Sequence, residues 1–217
     1  GYQEHFIDLC RLVGHPTPIE DDPTGARFAF EAGASKQQGG QGWADVWKRD
    51  CFAWEYKAPG ADLGKALKQL MTYALALDNP PLLVVSDRHL IQIHTHFTGT
   101  PSEVHTIRIE DTGTPENLEK LRWLFESPER FRPSRNNRQI TEEAARAFAE
   151  IAQSLRSRHA APEDNQRIAH FLTQCLFCLF AEDAELLPRG LFLRLVDKSQ
   201  TDPGRLTSRL RELFTAM

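Results

Sequence analysis

Leu82-Leu83-Val84-Val85-Ser86 is an apolar run without alternation, preceded by Asn79-Pro80-Pro81. A strand of this kind is covered on both faces, so it needs a sheet with packed layers above and below. Its neighbours along the chain can supply them. Leu63, Ala66, Leu67, Leu70, Met71, Tyr73, Ala74 and Leu77 share one helical face, which opens at an Asp62 N-cap and runs to Asp78. Ile91, Ile93 and Thr95 then alternate with polar residues, and Val104, Thr106, Arg108 and Glu110 suggest an edge-like strand. A helix from about Pro115 to Phe125 closes this half.

The segment before the run completes an α/β layout. Phe6, Leu9, Cys10 and Val13 predict a first helix, ended by His15-Pro16-Thr17-Pro18. Arg27 to Glu31 reads as a short strand, and residues 33–42, with four Gly and three Gln, read as a flexible loop. Trp43 to Trp47 and Cys51 to Lys57, joined by Lys48-Arg49-Asp50, predict an aromatic β-hairpin. The predicted order is α-β-β-β-α-β-β-β-α. The rest is helical: residues 127–139 read as a linker, Thr141 opens a helix reaching about His159, Pro162 opens another, and a last one starts near Asp202. The expected domains are residues 1–128, a linker at 129–140, and a helical connector at 141–217.

Composition mainly excludes. A length of 217 residues with 41% hydrophobic and 26% charged residues fits a globular chain with a sizeable core. No apolar run is long enough to span a bilayer and no signal peptide opens the chain, so a cytoplasmic location is expected. The net charge of −4 does not by itself suggest nucleic acid. Cys175-Leu176-Phe177-Cys178 is formally CxxC, but it lies in an apolar helical stripe and reads as core packing. The start without Met and the end inside an apparent helix suggest a piece of a longer protein.

One constellation could carry chemistry. The hairpin sets Asp45 opposite residues 54 to 55, with Glu55 and Lys57 on one face of the partner strand. Two neighbouring carboxylates can share Mg²⁺, a hard cation that prefers oxygen donors and keeps several waters. The Tyr56 backbone carbonyl could be a third ligand. Such an ion polarises a phosphate and activates or orients water, and a nearby Lys stabilises the developing charge. A surface ion pair would use the same acid-x-Lys spacing, but acids and a Lys among Phe52, Ala53 and Trp54 are costly unless paired or metal-bound. The helix adds Gln69 and Tyr73, at i and i+4.

Gly42-Trp43-Ala44-Asp45, Glu55-Tyr56-Lys57 and Gln69-Leu70-Met71-Thr72-Tyr73 together resemble the PD-(D/E)xK nuclease superfamily, and the last is similar to its RecB-like branch. More closely, Gly42 to Trp47, Phe52 to Lys57 and Phe177-Cys178-Leu179-Phe180-Ala181-Glu182-Asp183 resemble the N-terminal region of MmeI-like restriction–modification enzymes. The resemblance implies a restriction-endonuclease-like mixed sheet flanked by helices, then an all-α connector. It implies Mg²⁺-dependent hydrolysis of double-stranded DNA, with Asp45 and Glu55 as metal ligands, Lys57 as the catalytic lysine and Gln69 as an accessory residue. The superfamily often adds an upstream glutamate, for which Glu31 and Glu20 compete. Ala44 stands where the motif has its proline. An adenine methyltransferase using S-adenosylmethionine and a target-recognition domain would lie outside these residues. The alternative is a catalytically silent DNA-binding or scaffold module of a phage-defence methyltransferase.

Weaker candidates remain. Lys65 and Lys68 could meet a DNA backbone, as could Arg130, Arg132, Arg135 and Arg138 in the linker, though both groups also read as solvated surface. His94 and His96 share a strand face but lack a third zinc ligand. Glu182, Asp183 and Glu185 end a helix, where the dipole disfavours acids, which suggests contact with a partner domain.

Overall fold

The computed structural model describes all residues except 34–43, 159–160, 185, 189, 200–201 and 216–217. Gly42, Trp43, His159, Glu185 and the loop expected at 33–42, apart from Gly33, therefore lie outside the described residues. The chain divides into two compact units, Gly1–Ile140 and Thr141–Met217.

The first unit is a mixed α/β layer structure. Helices α1 (Tyr2–Val13) and α2 (Pro18–Asp21) precede strands β1 (Phe28–Ala32), β2 (Ala44–Lys48) and β3 (Phe52–Tyr56). Helix α3 (Leu63–Tyr73) crosses to β4 (Leu82–Ser86), and β5 (Leu90–Thr95), β6 (Val104–Arg108) and α4 (Pro115–Glu126) follow. The six strands lie side by side in chain order. All neighbours pair antiparallel except β3 and β4, which pair parallel through the α3 crossover.

Every residue of β4 is buried, as its unbroken apolar run requires. One sheet face packs on α1 and α4 around Phe6, Phe28, Phe52, Trp54, Leu82 and Leu124. The other packs on α3 through Ala53, Ala66, Leu70, Leu83 and Val85. Within β3, Phe52 and Trp54 face α1 while Ala53 faces α3, so Glu55 shares the α3 side.

The ends of α3 show what periodicity misses. Asp62 caps it as expected, accepting from the Gly64 and Lys65 backbone N–H groups. The helical face expected to reach Asp78 instead leaves α geometry after Tyr73 and finishes as a 3₁₀ turn, Leu75–Leu77. There the Trp47 indole N–H donates to the Leu77 carbonyl at 2.9 Å, anchoring the turn to β2. An apolar stripe does not distinguish α from 3₁₀ over its last few residues.

Residues 129–140, read as a linker, fall within the first unit. A 3₁₀ turn, Pro128–Phe131, buries Phe131 in the core beneath α4. Helix α5 (Asn137–Arg158) begins four residues before the expected Thr141. The cause is a reciprocal cap: Asn136 N–H donates to Gln139 Oε1 at 2.9 Å, and Gln139 N–H donates to Asn136 Oδ1 at 2.8 Å.

The second unit is helical, with most of α5, then α6 (Pro162–Asp183), α7 (Leu191–Lys198) and α8 (Pro203–Thr215). Helix α7 was not anticipated. Cys175 and Cys178 are buried and not disulfide-bonded, as core packing predicts. Buried Glu182, one of the acids read as meeting a partner domain, caps α7 by accepting from the Gly190 and Phe192 N–H groups, both at 2.6 Å. A carboxylate at a helix N-terminus satisfies donors that would otherwise be orphaned. No described helix is long and apolar enough to cross a membrane.

Candidate functional site

Strand register brings the expected residues together. The β2–β3 ladder runs from Lys48↔Phe52 to Val46↔Trp54. One step further, Asp45 comes opposite Glu55, and there the side chain of Asp45 replaces the backbone: its Oδ2 accepts the Tyr56 N–H at 2.7 Å. A strand residue directs its own N–H and C=O to the same flank, so the Tyr56 carbonyl also faces β2. The next N–H, that of Lys57, donates to the Ser86 carbonyl of β4 at 2.8 Å.

Glu55 is 7% exposed. Its Oε1 accepts from Lys57 Nζ at 2.6 Å, and Lys57 Nζ also donates to Gln69 Oε1 at 3.2 Å. Gln69 hydrogen-bonds to Glu55 as well, closing a three-membered network under α3. The i, i+2 spacing puts Glu55 and Lys57 on one face, and the α3 crossover lays Gln69 over them.

A buried carboxylate, Glu55, and a half-buried one, Asp45, share the strand end. Burial pushes Glu55 above the ordinary carboxylate range; Lys57 opposes the shift and the Asp45 charge adds to it. Burial likewise raises Asp45, against the Tyr56 N–H and Lys57, with Glu31 adding to the rise. Each acid thus feels another acid, and one lysine serves both.

Glu31 and Glu20 occupy different surroundings. Phe30 pairs with Val46 and Ala32 with Ala44, so Glu31 stands opposite Asp45. Its φ of 52° is left-handed. That conformation costs a residue with a Cβ about 1–2 kcal/mol. Its Oε1 accepts from the Tyr2 hydroxyl at 3.0 Å. Burial first, together with Glu31 and Asp45, pushes Tyr2 up to about 12. Glu20 instead closes a cap on α2, accepting the Thr17 N–H and hydroxyl, each at 2.8 Å.

The remaining candidates lie on surfaces. Lys65 and Lys68 are exposed on α3, and Tyr73 at its end is 36% exposed. Arg130 pairs with Glu119 at 3.3 Å and covers the Trp123 ring at 4.9 Å. Arg132 pairs with Glu129 at 2.8 Å and covers Phe97 at 4.4 Å. Those two arginines pack on their own unit. Arg135 and Arg138 also have interactions within the chain. Among the described residues no three His, Cys, Asp or Glu side chains gather as a metal cluster. His94 Nε2 is buried without a partner among the described residues, and His96 Nε2 meets Asn79 Oδ1 at 3.1 Å.

Helix α1 supplies residues that no motif announced. His5 Nδ1 lies 3.1 Å from the Tyr56 hydroxyl, which also hydrogen-bonds with Ser86. Ser86 Oγ in turn accepts from the Trp54 indole at 2.8 Å. The Tyr56 and Trp54 rings stack at 5.5 Å. Tyr56 is thereby held by its backbone, its hydroxyl and its ring. The polar side of α1, carrying Tyr2 and His5, was the available signal.

Comparison with known proteins places the chain. A family profile described as "MmeI, N-terminal domain" matches residues 1–158, and one described as "MmeI, helicase spacer domain" matches residues 166–217. No curated protein matches. A solved structure described as "cryoEM structure DrdV-DNA complex" is similar at 17% identity over 80% of this chain, with a TM-score of 0.31. The chain covers 17% of the length of that protein. With the N-terminal profile spanning well over half of its residues, the chain belongs to the MmeI-like restriction–modification family, as its N-terminal region.

Proposed function

We propose that the first unit is a PD-(D/E)xK-type endonuclease domain that hydrolyses DNA phosphodiester bonds with Mg²⁺. The observation that carries this reading is the strand end where Asp45 and Glu55 stand side by side with Lys57 held between Glu55 and Gln69. Membership of a restriction–modification family supports DNA as the substrate.

The donor set fits the ion. Carboxylate oxygens from Asp45 and Glu55 and the Tyr56 carbonyl would hold Mg²⁺, which takes oxygen ligands and retains waters for a phosphate to replace. Bound there, the ion would polarise the phosphate and lower the pKa of a coordinated water. The upward shifts of both acids suit this role, because a nearby dication favours their charged forms. The remaining work belongs to the chain. Lys57 Nζ, fixed by Glu55 and Gln69, presents a positive charge beside the carboxylates and stabilises negative charge on the attacking water or the phosphate. Tyr56, anchored at both ends, keeps Glu55 and Lys57 on the α3 side. Glu31, opposite Asp45, is the better placed of the two upstream glutamates.

A second reading has its own support. Lys57, Glu55 and Gln69 already satisfy one another. That closed network would also suit a silent scaffold, in which the pair only keeps a buried acid paired. Cleavage of unmethylated DNA by the full-length protein, with Mg²⁺ or Mn²⁺, separates the two. Loss of cutting in both Asp45→Ala and Lys57→Ala supports the nuclease. Cutting that persists in these variants, or wild-type protein that never cuts, overturns it.

A further inference from the structure

At the end of β3, where Tyr56 and Lys57 line its wall, lies a cleft of about 700 Å³. This is within the range of about 300–1,000 Å³ usual for small-ligand pockets. It opens at the carboxyl ends of β3 and β4, the parallel pair of the sheet, where the chain turns to α3 on one side and to β5 on the other. Such crevices are the usual binding places of open α/β sheets. Tyr56 and Lys57 line it and also belong to the candidate site. A ligand in the cleft would therefore share two residues with the proposed cutting centre.

Its walls have a distinct chemistry. Tyr2 and Tyr56 put two rings 5.6 Å apart along one side. Half-buried Ile109 lies on the same lining. Arg88 is exposed at the rim and has no hydrogen-bond or ion-pair partner among the described residues. It is not on a loose loop. Its neighbour Asp87 is 7% exposed. The Asp87 carboxylate accepts the N–H groups of Gly60, His89 and Leu90, at 3.4, 2.7 and 2.9 Å. These bonds tie the β4–β5 turn to the loop before α3. An unpaired guanidinium is thus presented from a braced turn into the cleft that the two tyrosines also line. Of the acids on the lining, Asp8 already has a cation, pairing with Arg11, and Asp87 is held by backbone N–H groups.

We propose that this cleft receives one unpaired nucleotide of the DNA strand flanking the cut, with its base against Tyr2 and its phosphate on Arg88. Base stacking on an aromatic side chain beside a cationic backbone contact is how single strands are gripped without sequence readout. The proposal rests on the nuclease reading for its placement, and it adds that the strand entering the site is locally unpaired.

The test measures binding without metal or cleavage. A fluorescein-labelled thymidine 12-mer is titrated with the full-length protein in EDTA, by anisotropy, across a salt series. Arg88→Ala is expected to weaken binding at least fivefold and reduce the salt slope by about one phosphate contact. Tyr2→Ala is expected to weaken it comparably at an unchanged thermal midpoint, and an abasic 12-mer should bind wild type more weakly than the thymidine strand. Wild type that fails to bind, binding unaffected by Arg88→Ala or by Tyr2→Ala, or equal affinity for the abasic strand overturns the proposal. Because cleavage is scored separately with Mg²⁺, failure of the nuclease reading and failure of the cleft remain distinguishable.

Discussion

Lys48 and Lys57 sit at opposite ends of the β2–β3 hairpin, and both have partly buried ammonium groups, with side chains 15% and 29% exposed. Their surroundings differ. Lys48 Nζ meets His15 Nε2 at 2.6 Å and Asp21 at 3.7 Å, and lies over the Phe28 ring at 4.9 Å. The His15 Nδ1 contact with the Pro16 carbonyl, at 2.6 Å, leaves Nε2 as the acceptor. One cation there is balanced by a neutral acceptor, one acid and aromatic faces. Lys57 faces two elevated acids, Asp45 and Glu55, with Glu31 opposite Asp45. The first end is balanced without further help. The second holds more negative charge than its lysine neutralises, which is the condition under which a dication is welcome.

The sharpest way to break this contrast is to remove each ammonium while keeping its stem. Lys57→Met is expected to lower DNA cleavage at least about a hundredfold, the lower range for loss of a proton-transfer or charge-stabilising group. Lys48→Met should leave cleavage near wild type and lower the thermal midpoint, because Asp21 and His15 lose their partner. Equal cleavage losses in the two variants would erase the distinction.

Metal titration probes the charge excess directly. Mg²⁺ is expected to raise the wild-type thermal midpoint, by about 2.7 kcal/mol of stabilisation at a hundred times the dissociation constant. Asp45→Asn, which can still accept the Tyr56 N–H, should show little of that rise. Without metal the same substitution should be neutral or stabilising. The raised pKa of Asp45 means that charging it weakens the folded state as pH climbs through the folded value.

The Lys48 end has the opposite pH sign. Burial first, with Lys48 adding to it, lowers the His15 pKa below 6.5. Its stabilising contribution is complete above pH 6.5 and is lost as pH falls through the folded value. Chemical denaturation between pH 7.5 and 5 should show this decline, with a shallower slope in His15→Gln. An identical slope in the variant would remove His15 from the account.

The smallest expected effect lies in the other unit. Glu182→Gln keeps the acceptor oxygen but loses its charge at the start of α7, and should cost about 0.5–1 kcal/mol in urea unfolding. A larger loss would mean that Glu182 has a partner besides the Gly190 and Phe192 N–H groups.

Much of this site was legible along the chain. The aromatic-rich stretches on either side of the turn at Lys48-Arg49-Asp50 placed Asp45 beside Glu55, because a hairpin's register follows from its turn. The Asp62 cap and the apolar face behind it placed Gln69 and the α3 crossover. The cap at Asn136 and Gln139 was also written locally, but the basic residues around it obscured it, and α5 was expected to start four residues late. Glu20 and Glu31 were not separable in the sequence, since one precedes the first strand, the other ends it, and no local pattern says which reaches the hairpin. Only folding engaged one in the Thr17 cap and set the other opposite Asp45.

The chain by itself determined the order of elements in its first unit, the hairpin, and the acid-x-Lys face, because each depends on periods of two or 3.6 residues and on short turns. Tertiary structure alone decided that Lys57 closes on Gln69, that Tyr2 reaches Glu31 across 29 residues and that His5 reaches Tyr56 across 51. It alone formed the cleft that presents Arg88. These contacts join a helix to the sheet it packs on, and no local periodicity encodes a pairing that only packing of the layers creates.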